Sequence, residues 1–171
     1  GRLQAGSDDG SISFNSGSDF DAMEFGAYIG DEWDVSDRLR VNGGLRLSAF
    51  SNDNTLYSGL EPRLAARYLL TDNVSLKASY ARMKQYLHLV ASSGVSLPTD
   101  IWYPSTAQIE PQRSDQVAIG ATFKLWDKFL FTNEYYYKWL DNQVDFVDWA
   151  ELFANQNLEQ EFAIGKGYSY G

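Results

Sequence analysis

The sequence predicts an all-β protein: an antiparallel up-and-down meander of about seven long strands, part of a transmembrane β-barrel wall. Three observations predict it. Apolar and polar residues alternate strictly, the alternating segments are about twice the usual strand length, and short and long connections take turns.

The alternation begins at Glu24. From there to Val35 one face carries Phe25, Ala27, Ile29, Trp33 and Val35, interrupted by Asp31, and the other carries Glu24, Gly26, Tyr28, Gly30, Glu32 and Asp34. After Ser36-Asp37-Arg38, residues Leu39, Val41, Gly43, Leu45, Leu47 and Ala49 oppose Arg40, Asn42, Gly44, Arg46 and Ser48. A third segment sets Leu60, Pro62, Leu64, Ala66, Tyr68 and Leu70 against Glu61, Arg63, Ala65 and Arg67. The link Thr71-Asp72-Asn73 leads to Val74, Leu76, Ala78 and Tyr80 against Ser75, Lys77 and Ser79.

Further on, Val117, Ile119, Ala121, Phe123 and Leu125 oppose Gln116, Ala118, Gly120, Thr122 and Lys124. Trp126-Asp127-Lys128 then turns the chain into Phe129, Phe131, Tyr135, Tyr137 and Trp139, against Thr132, Glu134, Tyr136 and Lys138. A last strand is expected between Glu159 and Tyr170. Period-two patterning of this kind defines a two-faced strand, and segments of about ten to twelve residues match the length that crosses an outer membrane.

The connections carry the second signal. The links at Ser36, Thr71 and Trp126 are about three residues long, whereas 51–58, 84–113 and 140–158 read as longer polar loops, with 1–23 as a fourth. Short turns on the periplasmic side and long loops outside are the rhythm of a transmembrane barrel. The domain reading is therefore an extracellular loop over 1–23 and a partial barrel over 24–171. Trp33, Tyr68, Trp126, Phe129 and Trp139 fall near the expected ends of crossings, where amphipathic rings sit at headgroup level.

Composition excludes several classes. The 171 residues include no cysteine, so disulfides and thiolate chemistry are absent, and His88 is the only histidine. A net charge of -9 opposes the basic face that nucleic acid requires. No run approaches the roughly 20 apolar residues of a membrane helix. The first residues lack the features of a signal peptide, and Gly167–Gly171 reads as mid-strand; the expectation is a piece of a longer chain. A soluble β-sandwich binding module, adhesin-like, would place the same apolar faces against a second sheet.

The stretch from Tyr80 to Gln116, YARMKQYLHLVASSGVSLPTDIWYPSTAQIEPQRSDQ, resembles the barrel of TonB-dependent outer-membrane receptors. The likeness is to the branch with a carboxypeptidase-regulatory-like extension. Leu60-Glu61-Pro62-Arg63, Ala78-Ser79-Tyr80-Ala81, Tyr136-Tyr137-Lys138 and Gly165-Lys166-Gly167-Tyr168-Ser169-Tyr170-Gly171 complete the match in order. The resemblance implies a plugged barrel of about 22 strands in a Gram-negative outer membrane, importing a scarce nutrient and acting as no enzyme. It implies as partners outer-membrane lipid, the remaining strands and plug, the TonB complex through that plug and, in some such receptors, a surface lipoprotein. It implies no cofactor.

Candidate site residues fall into two groups. In the loop 84–113, Trp102, Tyr103 and His88 stand among three of the four prolines. They read either as a vestibule wall that stacks on a ligand or, favoured here, as side chains packing an ordered loop. On the polar faces, Arg46, Glu61, Arg63, Arg67, Lys77, Glu134 and Lys138 are expected to face the lumen and to pair across strands. No metal site is expected: His88 has no second histidine or cysteine, and Asp8, Asp9, Asp19 and Asp21 lack EF-hand spacing. No GxSxG, HExxH or phosphate-binding glycine loop is present.

Overall fold

Extended strands with unpaired backbone edges are stable only in company, and seven of them here form one antiparallel sheet. The computed structural model describes residues 22–52, 55–90, 101–126, 128–146 and 158–171. The strands are β1 (Ala22–Ser36), β2 (Leu39–Asn52), β3 (Thr55–Thr71), β4 (Val74–Gln85), β7 (Gln112–Leu125), β8 (Phe129–Phe146) and β9 (Phe162–Tyr170), neighbouring one another in that order. Two short strands, β5 (Leu87–Val90) and β6 (Ile101–Pro104), pair only with each other. A single 3-10 turn, Leu158–Glu161, precedes β9.

The register keeps the two faces apart. Leu47 opposes Leu60, Tyr68 opposes Leu76 and Ile119 opposes Tyr135 on the apolar face, while Arg46 opposes Glu61 on the polar face. A slip of one residue would exchange the faces, so the pattern itself specifies the pairing. The short turns all lie at one end. Ser36 Oγ accepts the Arg38 and Leu39 N–H groups, Thr71 Oγ1 accepts that of Asn73, and Lys128 donates to the Leu125 carbonyl.

At the other end the strands run further than the alternation suggested. The expected loop 51–58 is almost entirely strand: β2 and β3 stay paired up to Asn52 opposite Thr55, and residues 53–54 lie outside the described ones. The reason is that these strands continue beyond the apolar band, where Ser51 and Ser58 stand on the outward face without needing to be apolar. Likewise β8 continues to Phe146 into the expected loop 140–158, of which 147–157 lies outside the described residues, as does 1–21. The loop 84–113 contains the β5–β6 hairpin, which the sequence pattern did not reveal.

Pro62 ends one ladder. Leu69 N–H donates to the Arg38 carbonyl at the foot of β2, so odd-numbered residues of β3 turn their backbone toward β2 and even-numbered ones toward β4. Pro62 therefore faces β4 with no N–H to offer, and the β3–β4 pairing stops at Arg63 opposite Ala81. Above that point Lys84 Nζ reaches across and donates to the Ser58 carbonyl at 2.8 Å, replacing one lost ladder bond.

On the apolar face the Trp33 ring lies over Gly43, where a Cβ would come within 2.9 Å of Cζ3. The indole thus covers backbone that a side chain would otherwise cover. Gly43→Val in the full-length receptor is expected to displace the ring and to lower the unfolding free energy, read from urea titration, by about 1–2 kcal/mol relative to Gly165→Val. At Gly165 an added Cβ meets nothing within 4 Å. Equal midpoints for the two variants would remove the covering role of Trp33.

Candidate functional site

The polar face is where charge and hydrogen-bonding side chains collect. At its centre Arg46 bridges two acids, its Nη2 3.4 Å from Glu24 Oε1 and its Nη1 3.4 Å from Glu61 Oε2. Gly26 makes room for this: a Cβ there would meet Arg46 Nη2 at 3.1 Å. The Glu61 side chain is buried, so the pair is shielded from bulk water on one side. Nearer the turns, Arg40 binds Asp34 at 2.6 Å and Glu32 at 3.1 Å.

The remaining charges expected here share this face by register but do not pair. Arg63, Arg67, Lys77, Glu134 and Lys138 make no hydrogen bond or ion pair among the described residues. Arg67 stands directly opposite Lys77, and Arg40 directly opposite Arg67. Like charges opposed across a ladder repel; Arg40 is compensated by Asp34 and Glu32, which leaves Arg67 and Lys77 facing each other without an ion-pair partner among the described residues.

The β5–β6 hairpin folds onto the polar face at the end away from the short turns. Tyr86, just before β5, stacks on Phe50 with ring centroids 5.2 Å apart, and its hydroxyl lies 2.7 Å from Ser48 Oγ. Asn52 Nδ2 donates to the Ser105 carbonyl and Tyr57 OH to the Thr106 carbonyl. Ser48, Phe50, Asn52 and Tyr57 all belong to the polar-face register of β2 and β3. Hairpin and wall therefore share a small core at this end, where Val90 and Ile109 are also buried.

The three loop candidates divide within that hairpin. His88 and Tyr103 are cross-strand partners on its covered side. His88 Nε2 lies 2.9 Å from Ser105 Oγ, its Nδ1 has no partner, and burial pulls the imidazole down to about 4. Tyr103 OH donates to Glu159 at 3.1 Å, and burial followed by the Glu159 charge raises its pKa. Trp102 faces the other way and is 62% exposed, beside exposed Leu87 and Leu89. The sequence reading grouped these three. The structure leaves only Trp102 presented to solvent, with Leu87 and Leu89 as neighbours it did not single out. The alternation Leu87-His88-Leu89-Val90 was the available signal, too short to stand out. Among the described residues no three His, Asp or Glu side chains gather into a metal-sized cluster.

A two-faced antiparallel sheet of this strand length, turned the same way at every short link, defines the wall of an outer-membrane β-barrel. Residues 2–171 match the family model for the TonB dependent receptor-like β-barrel, and the chain belongs to that family. Among solved structures it is similar to the FrpB iron transporter from Neisseria meningitidis: 16% identity, TM-score 0.56, over 74% of this chain and 20% of that one. The ferric-catecholate import receptor Fiu from E. coli K12 matches at 19% identity and TM-score 0.54, over 88% and 25%. The ferripyoverdine receptor of Pseudomonas aeruginosa matches at 18% and 0.53, over 94% and 20%. At these identities the likeness is one of fold, and the chain spans a quarter or less of these three receptors. No curated protein sequence matches.

The hairpin is expected to loosen in acid. His88 is held near 4 in the fold against about 6.5 in an open chain. Its contribution is full above about pH 6.5 and is lost as pH falls toward 4, with a ceiling of about 3 kcal/mol. Amide exchange at 87–90 and 101–104 in the full-length receptor, corrected for intrinsic rate, should accelerate across that window in wild type and stay flat in His88→Gln.

Proposed function

We propose that the chain is a section of wall in a TonB-dependent transporter that imports a scarce nutrient across the outer membrane of a Gram-negative bacterium, and that it carries no catalytic function. The observation that supports this best is the sheet itself: crossings with one apolar and one charged face, ordered as a barrel meander. The apolar face meets outer-membrane lipid. β1 and β9 stand at the two ends of the sheet and join further strands of the same receptor, because hydrocarbon leaves no other partner for their backbone.

The polar face, on this reading, lines the lumen and holds Arg46, Glu61, Arg63, Arg67, Lys77, Glu134 and Lys138. Its unpaired cations around Arg67 and Lys77 fit an acidic surface of a plug domain, through which the TonB complex acts. Trp102, exposed on the hairpin at the outer mouth, is the side chain best presented to a ligand; His88 and Tyr103 pack the hairpin. The carboxypeptidase-regulatory-like branch is supported by the sequence resemblance described above.

Deletion of the full-length receptor from its host, with growth scored on limiting siderophore-bound iron, vitamin, glycan or peptide, tests the reading. The expected result is a defect for one nutrient that complementation restores only when TonB is present. Normal growth on all four, or restoration that ignores TonB, would overturn it. Trp102→Ala is expected to weaken binding of the identified nutrient several-fold, roughly 3–10-fold, with His88→Gln near wild type at neutral pH.

A further inference from the structure

The largest ion network among the described residues is on the apolar face, at its outer limit. Arg82 Nε lies 2.7 Å from Asp115 Oδ1, which also accepts the Tyr80 hydroxyl at 2.6 Å. Arg113 Nε stands 3.4 Å from the other Asp115 oxygen, and its Nη2 binds Asp141. Lys166 Nζ closes the row 3.5 Å from Asp141 Oδ1. The row thus crosses four strands, β4, β7, β8 and β9. Register puts it on the outward face, since Arg82 continues the series Leu76–Ala78–Tyr80 and Asp115 continues Ile119–Val117.

Two features separate this row from a plain staple between strands. The first is height. Asp115 lies ten residues from Leu125 at the short turn, which at about 3.3 Å per residue and a tilt of about 40° rises about 25 Å, the height of the apolar band of such barrels. Directly below it lie the rings of Tyr80, Tyr137, Trp139 and Tyr168, the last three packed together with centroids 4.6 and 6.2 Å from that of Tyr137. Rings of this kind mark headgroup level.

The second is an asymmetry of exposure. The two carboxylates are covered, at 16% for Asp115 and 26% for Asp141, while the cations are outermost, at 37%, 43% and 82% for Arg82, Arg113 and Lys166. The acids anchor the cations from beneath, and three positive groups stand over two negative ones. A surface of fixed guanidinium and ammonium donors at headgroup level is complementary to phosphate.

We propose that Arg82, Arg113 and Lys166 form a docking row for the phosphate groups of outer-leaflet lipid, continuous with the apolar face below that holds the same lipid's acyl chains. This rests on the membrane reading of that face. It assigns the row to a lipid and leaves the transported nutrient to the opposite face.

The test uses the full-length receptor in phosphatidylcholine nanodiscs containing diphosphoryl lipid A, with retained lipid counted by native mass spectrometry. Lys166→Gln and Arg82→Gln are each expected to weaken retention of diphosphoryl lipid A on the order of 3–10-fold, with a smaller change for the monophosphoryl form. Retention by wild type should also fall as NaCl rises from 0.05 to 0.5 M, values chosen to span roughly 14 to 4 Å of screening length. Equal retention by wild type and Lys166→Gln, or retention indifferent to salt, overturns the docking row while leaving the membrane reading intact. If Arg82→Gln disturbs folding by uncovering Asp115, Lys166→Gln, at a side chain 82% exposed, together with the salt series decides by the same criteria. A receptor that retains no lipid of any kind would instead strike the membrane reading itself.

Discussion

Hydrocarbon offers a peptide group no hydrogen-bond partner, and nearly every feature of this chain follows from that constraint. The backbone of each crossing must be paired along its length, so the strands are long and antiparallel, with register shifts confined to Asp34/Ser36, Leu69/Thr71 and Leu140/Gln143. Where a residue cannot take part, the structure answers locally. Pro62 turns its missing N–H toward β4, the ladder ends there, and Lys84 supplies a donor to the stranded Ser58 carbonyl just above. Asn142, at φ 55°, absorbs a bulge between β8 and β9, and its amide donates to Glu110 and to the Pro111 carbonyl. These two stand on the long-connection side of the sheet, while the shifts at Asp34/Ser36 and Leu69/Thr71 lie beside the short turns.

Once the backbone is paired, the side chains are free to be sorted by face. The apolar side changes character at one level across β4, β7, β8 and β9: Tyr80 gives way to Arg82, Val117 to Asp115, Trp139 to Asp141 and Tyr168 to Lys166. That common level is what a planar boundary imposes on tilted strands, and it would have no reason to exist in a sheet packed against a second sheet. Asp31, among Ile29, Trp33 and Val35 on β1, is the one carboxylate inside the band among the described residues, five residues from Ser36 at the short turn.

The polar side is organised in two zones. Close to the short turns, Arg40 is held by Asp34 and Glu32, while Arg67 and Lys77 oppose each other without an ion-pair partner among the described residues. Farther out, the Arg46 cluster and the hairpin core replace open charge with buried contacts: Phe50 on Tyr86, Ser48 on Tyr86, Asn52 on Ser105. The hairpin thereby becomes part of the wall, with Trp102 on its free side. His88 sits in this arrangement as a neutral group, its imidazole held down by burial.

The alternation from Glu24 to Tyr170 was enough to establish the strand class, the number of long crossings and the two faces, and the lengths of the connections established the end at which the short turns lie. It could do so because period two is a local property: each residue's face follows from its neighbours two positions away. The hairpin, the division of His88 and Tyr103 from Trp102, and the ion row were decided only by the tertiary structure. His88 meets Ser105 across 17 residues, Tyr86 meets Ser48 across 38, and Arg82 meets Asp115 across 33. Nothing local in the sequence encodes such distances; they exist because the sheet brings four strands to one height and folds a connection back upon two of them.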